Sequence, residues 1–206
     1  MPEHVILLHG LWMRGFTLRP LARRLRAAGY TVEAIDYASV YGGVDRAAAR
    51  LRERMRALDA RAVHLVGHSL GALVSLEAAR DGRDLPPGRI VCIGPPLGGS
   101  AVARRFARLP GGRWLLGRSA DALATGAGEW TDTRRVGVIA GSLPFGLGGV
   151  LGMLDAPHDG TVALTETHLR GIADHRTVAA SHTGLLFSRE VARLTSLFLR
   201  DGDFGA

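Results

Sequence analysis

The chain has 206 residues, 47% hydrophobic and 22% charged, which suits one domain with a sizeable core. Its single cysteine, Cys92, excludes an internal disulfide, and no apolar run reaches the roughly 20 residues of a membrane span. The net charge of +7 does not by itself imply nucleic acid: all 26 basic residues are Arg, with Lys, Asn and Gln absent, and helical stretches such as Arg23, Arg24, Arg26 and Arg46, Arg50, Arg54 read as solvated faces without aromatics for base stacking.

In chain order, Met1-Pro2-Glu3-His4 lacks the basic segment of a secretory leader, so the expected location is the cytoplasm. Val5–His9 reads as a strand. Leu18–Ala28 reads as a helix with Thr17 at its N-cap, Pro20 in the first turn and Gly29 as its stop. Thr31–Ile35 is a second strand. Asp45–Ala60 is a helix with Leu51, Met55 and Leu58 on one face. Ala62–Val66 is a third strand, followed by Gly67-His68-Ser69-Leu70-Gly71 and a helix to about Arg80. Arg89–Ile93, where Cys92 is a core residue, is the fourth strand. Val136–Ala140 and Thr177–Ala180 are the fifth and sixth, and Gly184–Leu199 is a closing helix. Short apolar strands alternating with helices imply α/β: a mostly parallel six-stranded sheet in a three-layer α/β/α sandwich.

Two segments interrupt that alternation. Residues 97–134 form an insertion in the single domain, a lid or cap carrying an amphipathic stretch at Ser100–Leu109 and the apolar Trp114-Leu115-Leu116. Gly141–Gly160 is rich in glycine and apolar residues. Segments of this length in a compact domain are either binding loops and lids or irregular surface loops.

Gly-x-Ser-x-Gly between a strand and a helix is the pattern of a nucleophile elbow. With 28 Gly and 9 Ser in the chain, chance supplies a bare match about one time in six, so the flanking strand and helix carry the reading. A serine hydroxyl needs a base to take its proton, and the base needs an acid to hold it. In an elbow of this kind the acid and then the His follow the nucleophile in the chain, each behind a strand. His182, in Ser181-His182-Thr183-Gly184 behind the sixth strand, is in the right place. His175 falls before that strand, at the wrong edge, as does Asp174; His158 and His168 are further rivals. Behind the fifth strand, Asp159 in a turn before Gly160 is the candidate acid, and Asp155 reads as a turn-former before Pro157. The spacing of His158, Asp159 and His168 matches no common metal-ligand pattern, and no metal or cofactor is expected. An oxyanion hole needs two N–H donors: Leu70, after the nucleophile, and Leu11, in the His9-Gly10-Leu11-Trp12 loop after the first strand. His9 then braces that loop.

These pieces resemble the α/β-hydrolase superfamily, close to small bacterial lipases and esterases with a minimal six-stranded sheet. The matching segments are His9-Gly10-Leu11, Gly67-His68-Ser69-Leu70-Gly71, Pro95-Pro96-Leu97-Gly98-Gly99-Ser100, Asp159-Gly160-Thr161-Val162 and Ser181-His182-Thr183-Gly184. The Pro95-Pro96-Leu97 turn departs from the Gly-Thr-Pro-His pattern found there in bacterial lipases. The resemblance implies a fold lacking the first two strands of the full version. It also implies carboxylic ester hydrolysis through an acyl-enzyme, with a small-molecule or lipid-like ester as substrate. An acyltransferase or thioesterase with the same triad, or a non-catalytic ligand-binding module of the same fold, are the alternatives. Trp12, Met13, Phe145, Leu147, Leu151 and Met153 either line the acyl pocket or pack over the sheet edge. The sequence leaves the oligomeric state open.

Overall fold

The computed structural model describes residues 3–145, 154 and 157–205. Six parallel strands form one sheet: β1 (Glu3–Leu8), β2 (Thr31–Ile35), β3 (Ala62–His68), β4 (Ile90–Ile93), β5 (Val136–Gly141) and β6 (Asp174–Val178), in the order β2-β1-β3-β4-β5-β6. The sheet is parallel throughout.

Side chains of β1 alternate between two cores, as a strand covered on both faces requires. Val5 and Leu7 pack with Leu21 and Leu25 of α1 (Arg19–Ala27) and with Val191 and Phe198 of the last helix, α7 (Arg189–Asp201). Ile6 and Leu8 face Leu51 and Met55 of α2 (Gly43–Arg56) and Leu73 and Leu76 of α3 (Leu70–Ala79). The connection from β4 to β5 carries three short helices, α4 (Ala101–Ala107), α5 (Gly112–Leu116) and α6 (Ala120–Thr125), which add Ala103, Leu116 and Leu123 to the α2–α3 core.

The chain leaves β1 toward β2 on one side and returns to β3 on the other. The carboxyl ends of β1 and β3 therefore flank the point where strand order reverses, the place where open parallel sheets form their crevice. The His9-Gly10-Leu11 loop leaves one of these strands and the Gly67–Gly71 turn closes the other.

Several boundaries differ from the sequence expectation. The last strand spans Asp174–Val178, three residues earlier than Thr177–Ala180, because its register pairs His175 with Val138 and Thr177 with Ala140. The polar Asp174-His175-Arg176 hides it from a reading that seeks apolar runs. Thr17 does not cap α1: it lies in a 3-10 turn (Gly15–Leu18), and its hydroxyl donates to Arg14 O. The closing helix starts at Arg189, after a separate 3-10 turn (Gly184–Leu186), with Ser188 Oγ accepting from Val191 N as its cap. No helix among the described residues is long and apolar enough to cross a membrane.

Candidate active site

Ser69 sits between β3 and α3 with φ 53° and ψ −120°, a backbone state that costs a non-glycine residue about 1–3 kcal/mol. Such strain persists only where surrounding packing over-determines it, and here the neighbouring glycines do so. A β-carbon on Gly67 would lie 2.4 Å from the Gly71 backbone, and one on Gly71 would lie 2.4 Å from Leu8 O. The strand and helix thus meet backbone to backbone, and Ser69 is pushed out at the crest, half-buried, with its N–H held by Ile93 O at 2.9 Å. Leu70 is the first residue of α3, so its N–H has no acceptor within the helix.

The loop after β1 lies against this turn. A β-carbon on Gly10 would approach Ser69 Cβ, His68 Nδ1 and Met13 Sδ, each at 3.2 Å. His9 is fully buried and braces the loop: its Nδ1 donates to Gly10 O at 2.8 Å, its ring stacks on Tyr37 at 4.4 Å, and its main-chain oxygen takes the Tyr37 hydroxyl at 2.6 Å. Burial lowers the His9 pKa, which keeps it neutral and in a bracing role. Leu11 N–H has no acceptor among the described residues. Trp12 also has a positive φ, 58°. Among described residues only Trp12, Ser69 and Asp81 are non-glycines of this kind, so two of the three strained positions sit at this crevice.

Asp159 and His182 come together from the loops behind β5 and β6. The carboxylate Oδ2 accepts from His182 Nδ1 at 2.7 Å, while Oδ1 accepts from Thr161 N at 2.9 Å and Val162 N at 2.8 Å. His182 N donates to Asp159 O at 2.8 Å, so the two loops are also joined through the backbone. Asp159 is 1% exposed. Burial by itself would raise its pKa, but the His182 charge and hydrogen bond together with the Val162 and Thr161 N–H groups outweigh it and hold the carboxyl below the usual range. An ionised Asp159 fixes the proton of His182 on Nδ1 and leaves Nε2 as the basic nitrogen.

Three contributors to this arrangement carry no sequence signature strong enough to single them out. His68, the variable residue of the elbow, is buried beside His182 with ring centroids 4.7 Å apart, and its Nε2 donates to His182 O at 3.1 Å. Burial and the neighbouring His182 charge pull its pKa down to about 3, so it adds no positive charge next to His182. Gly94, after β4 with φ 56°, leaves room for the His182 ring: a β-carbon there would lie 3.1 Å from Nδ1. On Gly141 a β-carbon would lie 2.8 Å from Asp159 Cβ and 2.5 Å from Ala180 O. A glycine directly behind a strand was the available signal at both positions.

The rival residues are placed elsewhere. His175 stacks on His168 at 4.2 Å and meets Thr167 Oγ1 at 2.8 Å, at the opening of β6 rather than behind it. Asp174, at the same edge, accepts from Phe204 N and holds the C-terminal segment. His158 Nδ1 accepts from Gly160 N and shapes the Asp159 turn. Asp155 lies outside the described residues, as do Leu147, Leu151 and Met153 of the expected pocket. Of the remaining residues expected to line the pocket, Met13 lies beside Gly10, Trp12 is half exposed and bonds through Nε1 to Leu115 O of α5, and Phe145 stands 73% exposed. No group of three His, Cys, Asp or Glu among the described residues could hold a metal ion.

Residues 5–194 match the family model described as the alpha/beta hydrolase family. The chain belongs to that family. No curated protein sequence matches it. Among solved structures, the mature form of a Bacillus licheniformis lipase superposes with a TM-score of 0.80 at 19% identity, covering 97% of this chain and 91% of that one. A metagenomic carboxyl esterase does so with a TM-score of 0.72 at 18% identity, covering 88% and 64%. A thioesterase from the prodiginine biosynthetic pathway in Streptomyces coelicolor gives 0.61 at 18% identity, covering 97% and 90%. At these identities the likeness is one of fold, and it agrees with the parallel six-stranded α/β/α architecture.

Proposed function

We propose that this α/β-hydrolase is a serine esterase or lipase that cleaves carboxylic esters through an acyl-enzyme. The observation that carries the reading is the buried Asp159–His182 hydrogen bond of 2.7 Å behind a strained, glycine-flanked Ser69. Ser69 Oγ attacks the ester carbonyl carbon while His182 Nε2 takes its proton. The carbonyl oxygen becomes an alkoxide that accepts from Leu11 N–H and Leu70 N–H. His182 then passes its proton to the departing alcohol, leaving Ser69 acylated. Water, deprotonated by the same nitrogen, attacks the acyl carbon; the bond from that carbon to Ser69 Oγ breaks, His182 returns the proton to Ser69 Oγ, and the acid is released. Asp159 keeps the imidazole in the needed tautomer and offsets its charge when it is protonated.

The acyl part of the substrate is at least partly apolar. Trp12 and Met13 follow the Leu11 donor in the chain, and Phe106 meets the Trp12 ring edge-on at 6.0 Å, which gathers apolar side chains near that donor. Ser69→Ala removes the nucleophile with little change in packing. Its expected result is loss of p-nitrophenyl ester hydrolysis by about 10⁵-fold in kcat with an unchanged circular dichroism spectrum; turnover near the wild-type rate would overturn the assignment.

A further inference from the structure

Four of the 26 arginines, on two helices far apart in the sequence, come together in the fold. Arg24 of α1 and Arg189, Arg193 and Arg200 of α7 converge on one groove of about 630 Å³ between the two helices, with Ala192 and Leu197 among its apolar lining. No carboxylate lines it. Arg200 is paired with Asp201 at 2.7 Å, but among the described residues Arg24, Arg189 and Arg193 have no carboxylate partner. Arg24 Nη1 is buried without a hydrogen-bond partner among them.

This stripe breaks two local rules at once. Arg189 occupies the first residue of α7, where the helix dipole disfavours a cation, and Arg193 follows one turn on, where like charges repel. Glu190 in the same first turn offsets part of the dipole cost, but the facing helix α1 carries no acid to pair with either arginine. A multivalent anion held in the groove would relieve both costs. Guanidinium forks match phosphate oxygens in pairs, and several converging forks favour a group with at least two charges over a single carboxylate.

We propose that the α1–α7 groove is a binding site for a phosphate-bearing ligand, separate from the Ser69 crevice. The test is calorimetric titration with inorganic pyrophosphate, alongside sedimentation with phosphatidylcholine vesicles containing phosphatidylglycerol. The proteins compared are the wild type, Arg189→Gln/Arg193→Gln, Arg24→Gln and a control, Arg108→Gln/Arg170→Gln, which loses the same two charges elsewhere. Arg189 and Arg193 are exposed, so their double variant is not expected to disturb folding; circular dichroism checks each protein. The expected result is salt-sensitive pyrophosphate binding, weakened about tenfold or more in both groove variants and unchanged in the control. The same pattern with vesicles alone would place the phosphate on a lipid headgroup. Absence of binding to either probe, or equal weakening in groove and control variants, would overturn the proposal.

Discussion

At Ser69, a positive φ and two glycines without room for a β-carbon describe one steric event: strand β3 and helix α3 approach until only hydrogens fit between their backbones. Gly94 plays the matching part at His182. Its φ of 56° and the 3.1 Å that a β-carbon would leave to His182 Nδ1 mean that any side chain there presses on the ring which Asp159 holds. Gly94→Ala carries about 1–2 kcal/mol of left-handed backbone strain, and the ring is displaced besides. Steady-state ester hydrolysis by this variant is expected to show kcat lowered by about 10²-fold with KM little changed, because a small misplacement of the base affects the reacting geometry more than substrate affinity. A wild-type kcat would show that His182 tolerates the shift and that Gly94 is not a positioning residue. His68 illustrates what sequence reading misses at this scale. It stands at a position where the elbow pattern accepts any residue, and only the fold reveals that it carries a hydrogen bond to His182 O.

Among the elements, Glu166 ties the segment after Asp159 to the start of α4. One carboxylate oxygen accepts from Ala163 N at 2.9 Å and the other from Ala101 N at the start of α4, while Gly98 N reaches Glu166 O at 2.8 Å. Glu166→Ala strips the acceptor from two backbone donors, one on each element, and is expected to lower the unfolding free energy by about 2–4 kcal/mol in urea titration. An unchanged midpoint would mean that water replaces the carboxylate at no cost. The elements also show where sequence reading succeeds and where it fails. Apolar runs such as Val5–Leu8 and Ile90–Ile93 are buried on both faces, and their continuous hydropathy and short length identify them. Strand β6 opens with Asp174-His175-Arg176 at the sheet edge, where one side needs no apolar cover, so its start is invisible to hydropathy. Helices α4, α5 and α6 span only 5–7 residues each, too short for a periodic pattern to declare itself, although Ser100 does cap α4 by accepting from Ala103 N.

For the whole molecule, two buried histidines, His64 and His68, and the half-buried His175 set the response to acid. Desolvation pulls His68 to about 3, and His64 and His175 to about 4, from an ordinary 6.5. The unfolded chain takes up protons below 6.5 that the folded chain refuses, so stability falls as pH drops from 6.5 toward 3. The depressed Asp159 carboxyl acts in the same direction: its contribution is present above the unfolded carboxylate range and is lost as pH falls through its folded value. His68, fully buried, accounts for roughly 2–3 kcal/mol between pH 6.5 and about pH 4.5. Thermal unfolding followed across that range is expected to show a steadily falling Tm. A Tm flat down to about pH 4.5 would mean that these rings are solvated in the folded state. At the same scale, the packing of α1 beside α7 brings Arg24 and Arg193, which lie on helices far apart in the sequence, to a single groove.

The central claim is that Ser69 is a nucleophile activated through His182 and Asp159. Incubation with a fluorophosphonate probe, followed by mass spectrometry of the proteolysed chain, tests it without a guess at the natural ester. The account predicts one covalent adduct, on Ser69, lost in His182→Ala. Absence of an adduct on the folded protein, or an adduct at another of the nine serines, would contradict it.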